Sequence, residues 1–484
     1  MEQPLTYLKQ RVGEDWLIGY DTNQFNYLTE QLFQQLSQQG TPPKILLAEQ
    51  NPWRFLAAFL AAVAADCPVF LCNPNWVEQE WQQVFDIVQP DLIWGNLPEV
   101  SNSQKLNVEQ EEFRSSEVHE FRRIPNPRPQ PSTLYKQTIM IPTGGSSGKI
   151  RFAIHTWETL MASVRGFYHY FGEKPINSCC VLPLYHVSGL MQFLRSFTTG
   201  GQLMILPFKA LVAGEGRDID PTTFFLSLVP TQLARLISLE ELTTWLSRFQ
   251  AVLLGGAPAW TKLLEQARHY NIPLALTYGM TETASQVVTL KPEAFRRGNN
   301  SCGQVLPHAQ VSIRSATGER LGANQIGNIS INADSLALGY YPELFPNPQY
   351  FQPDDLGFFD NQGFLNVVGR NSNKIITGGE NVFPTEVEAA IRATQLIADV
   401  CVIGIPDLEW GQAVTAIYVS RTQAVSTALL EKALADKLSK YKRPKYWVSV
   451  KSLPRNSQGK VNYEQLQEIV IATLESQKSS LSAF

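Results

Sequence analysis

The stretch IPTGGSSGKIRFAIHT, residues 141 to 156, sets three glycines, two serines and Lys149 between two apolar runs. Backbone N–H groups in a glycine-rich turn form a concavity that suits an anion. Thr143, Ser146 and Ser147 add hydroxyl donors, so the chemistry on offer is a grip on phosphate. It is not the grip of a P-loop NTPase. That loop needs four residues between its glycines and a hydroxyl residue after the lysine to bind magnesium. Here Gly144 to Gly148 is one residue short and Ile150 follows Lys149. The plain alternative is a flexible hairpin turn.

Four more segments carry polar or charged residues in compact patterns: YGMTET (278–283), DDLGFFD (354–360), GRNSNKIITGGENVFPTEVE (369–388) and LPRNSQGK (453–460). Each has an ordinary reading. The first follows a strand and can open a helix with Thr281 or Thr283 as its cap. The others read as an acidic turn, a linker, and a surface loop ending in a solvated lysine. In this order and at these distances the five segments resemble the adenylate-forming superfamily: acyl- and aryl-CoA ligases, luciferases and peptide-synthetase adenylation domains. The resemblance runs from about residue 44 to about residue 465.

The resemblance implies ATP, Mg2+ and coenzyme A, and assigns residues to each. Thr143, Gly144, Gly145, Ser146, Ser147 and Gly148 match the loop that holds the pyrophosphate half of ATP. Ile150 stands where the family usually has proline, which implies a looser loop. Arg151 stands where it usually has lysine, which keeps the charge. Tyr278, with Gly279 beside it, matches the residue that stacks on adenine, and Gly256 and Ala257 match the strand end beside it. Glu282 matches the carboxylate that binds magnesium, and Thr281 a residue near the α-phosphate. Asp355 matches the acceptor of both ribose hydroxyls, and Arg370 an arginine that reaches the ribose. Lys460 matches the lysine that enters the site for adenylation. Gly378 and Gly379, followed by Glu380 and Asn381, match the glycine-rich lining of a pantetheine tunnel, where a missing side chain admits a thiol arm. The family hinge falls at Ser372, where aspartate or lysine is usual. A carboxylate is already a nucleophile, so no general base is required. The task is positioning and neutralising charge as one anion attacks another.

The run LPLYHVSGLMQFLRS (182–196), with LLGGAP and LTYGMTETASQVVTL, is similar to the o-succinylbenzoate–CoA ligases of menaquinone and phylloquinone synthesis. That branch implies a dicarboxylate acid. A buried second carboxylate is costly without partners; His186 and Arg195 are the candidates, with Gly255 and Thr277 lining the same pocket. Competing readings are another aryl- or fatty-acyl-CoA ligase, a carrier-protein-loading adenylating enzyme, and a luciferase-like oxygenase.

These residues need a frame. KILLAE, PVFLCN, DLIWGN, QLMILP, TFFLSLVP, AVLLGG and PLALTYG read as strands. NPWRFLAAFLAAVAA, WVEQEWQQVFDIVQ, TQLARLISLEELTTWL and WTKLLEQARHYN read as helices. Such alternation predicts mostly parallel sheets covered by helices, with ligands beyond the carboxyl ends of the strands. Residues about 300–370 change to short strands and turns, a β-rich subdomain. After Arg370 the pattern is α+β. The expected fold is therefore α/β: a large N-terminal domain over 1–370, then a small C-terminal domain over 371–484, mobile if the resemblance holds.

The bulk numbers agree. The chain has 484 residues, 44% of them apolar, and a formal charge of −4, which argues against a general nucleic-acid binder. The cluster KYKRPK (440–445) reads as a solvated helix end or, in this family, as a neighbour of the CoA phosphates. The longest apolar run, FLAAFLAAVAA, falls far short of the roughly 20 residues of a membrane span. The six cysteines form no CxxC pair, and the first residues carry no apolar signal core, so a cytoplasmic enzyme is expected. A monomer or homodimer is expected.

Overall fold

The computed structural model describes residues 3–95, 121–123, 137–144, 150–347, 350–377, 380–407, 410–421, 425–435, 437–438, 440–455 and 460–481. Its architecture is α/β. One eight-stranded sheet runs in the order Leu17–Ile18, Leu203–Ile205, Asn177–Cys180, Phe224–Leu228, Ala251–Leu254, Leu274–Met280, Ser285–Thr289, Gln304–Val305. Its neighbours are parallel as far as Leu274–Met280 and antiparallel beyond it. The second eight-stranded sheet has a parallel centre, Thr138–Gly144, Val69–Leu71, Ile45–Ala48 and Leu92–Gly95, with antiparallel strands on both flanks.

Helices bury the facing sides of these sheets. Pro52–Ala64 shows why a segment with apolar residues all round is a core helix. Asn51 Oδ1 accepts the N–H of Arg54, Pro52 occupies the first turn, where its missing N–H costs nothing, and every residue from Phe55 to Val63 is buried. Its side chains share one cluster with Trp16, Phe193 and Phe197. The helix Val187–Thr199 ends on Gly200 in the left-handed region. Its last carbonyls are gathered by buried Arg11, whose guanidinium donates to Ser196 O at 3.1 Å, Phe197 O at 3.3 Å and Gly201 O at 2.8 Å.

The predicted strands and most of the helices appear where expected. TQLARLISLEELTTWL is two helices, Pro230–Ile237 and Glu240–Ser247, because Leu239 between them is extended. The β-rich segment is a four-stranded antiparallel sheet, Ala309–Arg314, Gly327–Ala333, Asp355–Phe359 and Leu365–Arg370. Beyond it, Pro384–Arg392 and Thr427–Leu434 pack on the long hairpin Ile397–Asp407 and Gly411–Ser420. No helix among the described residues is long and apolar enough to cross a membrane.

Candidate active site

The strand Leu274–Met280 carries Thr277, Tyr278 and Gly279 to the carboxyl end of its sheet. YGMTET does not open a helix there. Thr281–Thr283 is a single 3-10 turn, and the chain returns as the antiparallel strand Ser285–Thr289. The 3-10 helix stops where Ala284 takes a left-handed φ of 49°. Gly279 lies so close to the returning chain that a Cβ would sit 2.1 Å from the Ser285 carbonyl oxygen.

Tyr278 donates its hydroxyl to Asp355 Oδ2 at 2.8 Å. Asp355 is not in an acidic turn; it begins the strand Asp355–Phe359, and its register partner is Arg370. Arg370 Nε lies 3.6 Å from Asp355 Oδ1, with the arginine 48% exposed and the carboxylate 15%. Burial pushes the Asp355 carboxyl up, opposed by the Tyr278 hydrogen bond, Arg370 and Lys460. Burial, then the Asp355 charge, pushes the Tyr278 hydroxyl up.

Glu282 is buried, 7% exposed. Its Oε1 accepts the Tyr340 hydroxyl at 2.5 Å, and the Arg151 guanidinium sits over the Tyr340 ring, 4.2 Å from its centroid. Arg151 pairs with Thr143, and Ile150 with Gly144, across the hairpin Thr138–Gly144 and Ile150–Thr156. The glycine segment thus joins two antiparallel strands, and Gly145, Ser146, Ser147, Gly148 and Lys149 lie outside the described residues. Ile150 brings an N–H that proline lacks, and donates it to Gln83 Oε1 at 3.0 Å. That bond ties Ile150, the first described residue after the glycine segment, to Gln83.

Lys460 comes from the far end of the chain. It is solvent-exposed by area, yet enough protein surrounds it that burial, then Arg370, lowers its pKa, opposed by Glu282 and Asp355. Lys460 also lowers the pKa of His186, after burial, to about 4, while the Pro142 carbonyl bonded to that ring opposes the shift. His186, a neutral imidazole at pH 7, therefore stands between the glycine hairpin and Lys460 at the start of the helix Val187–Thr199.

Arg195 points inward from that helix and is 3% exposed. Its Nη2 donates to Ser285 Oγ at 3.1 Å and Gln286 Oε1 at 3.0 Å, and its guanidinium stacks on Phe167 at 4.1 Å. Among the described residues it has no carboxylate partner. Arg195 Nε, Gln286 Nε2 and both ring nitrogens of His308 are buried without one. Burial lowers the Arg195 pKa to about 9, still a cation at neutral pH, and burial with Arg195 lowers His308 to about 4. Gly255 faces Thr277: a Cβ there would fall 2.3 Å from Thr277 Oγ1, which itself donates to Leu254 O at 3.2 Å. Gly256 and Ala257 are exposed at the strand end.

The segment after Arg370 is a hairpin, Ile375–Thr377 with Glu380–Val382, not a linker; Gly378 and Gly379 lie outside the described residues. Ser372 donates its N–H to both Asp354 oxygens, at 3.2 and 3.0 Å, and its hydroxyl to Asp354 Oδ2. In the basic cluster, Lys442 pairs with Glu386 at 2.6 Å and Arg443 donates to Leu438 O and Ala435 O, so these two cations serve their own domain.

The sequence reading missed Tyr340, His308, Gln286 and His155. No motif marks Tyr340, which meets Glu282 only because Gly339–Tyr340 pairs with Ile150–Thr156. His155 follows the apolar run Phe152–Ile154 in the strand Ile150–Thr156, where its imidazole is the odd residue. It is fully buried, with Nε2 2.8 Å from Thr281 O.

Residues 23–341 match the AMP-binding enzyme family, and residues 386–460 the AMP-binding enzyme C-terminal domain. A 2-succinylbenzoate–CoA ligase of Enterococcus faecalis is 33% identical over 345 residues, 69% of each chain. The structure of o-succinylbenzoate CoA synthetase from Bacillus subtilis with the acyl-adenylate intermediate OSB-AMP is 25% identical, with a TM-score of 0.76 over 95% of this chain and 97% of that one. The same enzyme with ATP and magnesium ion gives a TM-score of 0.76 at 24% identity, over 95% of this chain and 99% of that one. The chain belongs to the AMP-binding, adenylate-forming family of enzymes and resembles within it the 2-succinylbenzoate–CoA ligases.

Proposed function

We propose that this chain is an AMP-forming 2-succinylbenzoate–CoA ligase, which joins the acid to ATP as an acyl-adenylate and then passes the acyl group to coenzyme A. The observation that carries the substrate is Arg195: a fully buried guanidinium with no carboxylate partner among the described residues, beside buried polar atoms of Gln286 and His308 that also lack one. A guanidinium in that setting favours an anion strongly, and the second carboxylate of a dicarboxylic acid supplies it. His186 and Thr277 line the approach to the reacting carboxylate.

In the first half-reaction the acid's carboxylate oxygen attacks the α-phosphorus and pyrophosphate leaves. Tyr278 offers its ring to adenine while its hydroxyl fixes Asp355; Asp355 accepts the ribose hydroxyls, and Arg370 reaches the ribose as a donor. Gly279, Gly256 and Ala257 leave room beside the base. Thr281 faces the α-phosphate. Thr143, Gly144 and the glycine segment 145–148, with Arg151, take the β- and γ-phosphates. Lys460 brings its ammonium to the charge that develops between acid and phosphate. Glu282 fits a magnesium site of the kind completed by nucleotide phosphates: one oxygen is held by Tyr340 and the other is available, and among the described residues no cluster of three ligating side chains forms an all-protein cage. Magnesium held there neutralises phosphate charge. In the second half-reaction the thiol of CoA attacks the acyl carbon and AMP leaves; Gly378 and Gly379 are proposed to line its path.

The domain boundary is placed near residue 370, with Ser372 as hinge, in keeping with family matches that stop at 341 and resume at 386. Six free cysteines suit a reducing, cytoplasmic setting, and a monomer or homodimer is proposed. The test is ATP–pyrophosphate exchange across a panel of carboxylic acids, followed by addition of CoA. Exchange with 2-succinylbenzoate and CoA thioester on addition are expected. Exchange with medium-chain fatty acids but not with 2-succinylbenzoate overturns the substrate.

A further inference from the structure

The turn Thr281–Ser285 holds two residues that L-amino acids rarely sustain, Ala284 at φ 49° and Ser285 at φ 93°. Such backbone persists only where its surroundings over-determine it. Here they do so carbonyl by carbonyl. Thr281 O receives His155 Nε2 at 2.8 Å, and Glu282 O receives the N–H of Ala337 at 2.8 Å. Thr283 O receives Ser335 Oγ at 2.9 Å, Ala284 O receives Ser163 Oγ at 2.6 Å, and Ser285 O receives the Thr283 hydroxyl at 2.6 Å. Four of the five donors come from outside the turn: from the strand that leaves the glycine loop, from the helix Trp157–Tyr170 after it, and from the segment that leads to Tyr340. His155, Ser163 and Ser335 are fully buried. Because a carbonyl only accepts, His155 must carry its proton on Nε2, leaving Nδ1 to face the Thr159 hydroxyl at 3.0 Å. Burial lowers its pKa to about 4, so that neutral form persists at pH 7.

We propose that His155, Ser163 and Ser335 are positioning residues that clamp the turn so that Glu282 and Thr281 meet the nucleotide already in place. The clamp rests on the reading of Glu282 given above. It joins the two sides of the site: Glu282 is the second residue of the turn, and Ser285, whose hydroxyl receives Arg195, ends it. Each clamp bond is short-range, uncharged at the carbonyl and shielded from water, so its loss alters the aim of Glu282 without changing the chemistry in the cleft.

Ser163→Ala and Ser335→Ala each remove one oxygen, and the experiment uses both, singly and together, in the full chain. The double variant is expected to slow ATP–pyrophosphate exchange by roughly tenfold. It should also raise the magnesium concentration for half-maximal exchange, while CoA thioester formation from pre-made acyl-adenylate is unchanged. In a Glu282→Gln background the serine changes should add nothing further. His155→Leu should behave like the serine variants, and His155→Gln, which keeps an N–H donor, should recover part of the loss. A double variant that melts earlier but keeps exchange and magnesium dependence overturns the clamp and leaves the site reading intact. Unchanged exchange in Glu282→Gln alone overturns the site reading itself. Should the double variant not fold, the single variants give the same comparison.

Discussion

Lys460 and Arg195 make opposite demands on their surroundings. Lys460 is exposed and feels the charges of Glu282, Asp355 and Arg370; in the proposed function its work is electrostatic and depends on arrival. Losing one preorganised donor at a charge-developing centre typically costs roughly 10²–10³ in rate. Lys460→Ala is expected to lower adenylation by at least that order in pyrophosphate exchange, and to spare thioester formation from supplied acyl-adenylate. Arg195 is buried, and in the proposed function it acts by selection. A charge-assisted hydrogen bond is worth about 1.5–3 kcal/mol, so Arg195→Met should raise KM for 2-succinylbenzoate by roughly ten- to a hundredfold. Its effect on KM for ATP should be small. Steady-state kinetics with each substrate varied in turn separates the two; a matching rise for ATP would place Arg195 outside the acid pocket.

Among the elements, the helix Val187–Thr199 carries the two residues proposed for the acid, with His186 before its first residue and Arg195 two turns on. What fixes its far end is Arg11, from a distant part of the chain, which receives no help from sequence proximity. Removing that guanidinium takes a buried donor from three carbonyls gathered at 2.8 to 3.3 Å, of which Ser196 O still receives the N–H of Gly201 at 2.9 Å. An orphaned buried acceptor costs about 1–3 kcal/mol. Arg11→Met, which keeps the apolar stem, should lower the midpoint of thermal or urea unfolding by that free energy and alter exchange activity only modestly. The glycine hairpin is held differently: one hydrogen bond from Ile150 to Gln83 tethers it at the point where the resembling enzymes use proline.

The folded protein as one titrating body has a definite pH response. His155 and His308 are buried, and each is held at about 4 against an ordinary 6.5. Between those values the unfolded chain binds the extra protons, so stability falls as pH falls. The contribution is complete above pH 6.5 and is lost on descent toward 4. From pH 7.5 to 5.5 the loss is roughly 1–1.5 kcal/mol for each histidine. Burial raises the carboxyls of Asp355 and Glu388; these work in the opposite direction, and chiefly at lower pH. Thermal melts across pH 7.5 to 5.5 should therefore show a falling midpoint, and a flat or rising midpoint would contradict the burial of both imidazoles.

Local pattern carried the strands, most helices and the glycine segment, and the resemblance of five short segments, taken in order, singled out Tyr278, Glu282, Asp355, Arg370 and Lys460. Each of those features is written in contiguous residue types: alternating apolar runs, a glycine-rich turn, an acid after a strand. Whether YGMTET continued as a helix or reversed was not written there, because the reversal depends on Gly279 meeting the returning backbone and on donors contributed by residues 155, 163, 335 and 337. Nor was the inward aim of Arg195, which rests on Phe167, Ser285 and Gln286 converging from separate elements. Tyr340 reaches Glu282 through strand pairing across nearly two hundred residues. Side-chain type and spacing follow from the chain order, whereas the partners that orient a buried polar group are set by long-range packing, and short-range pattern holds no record of it.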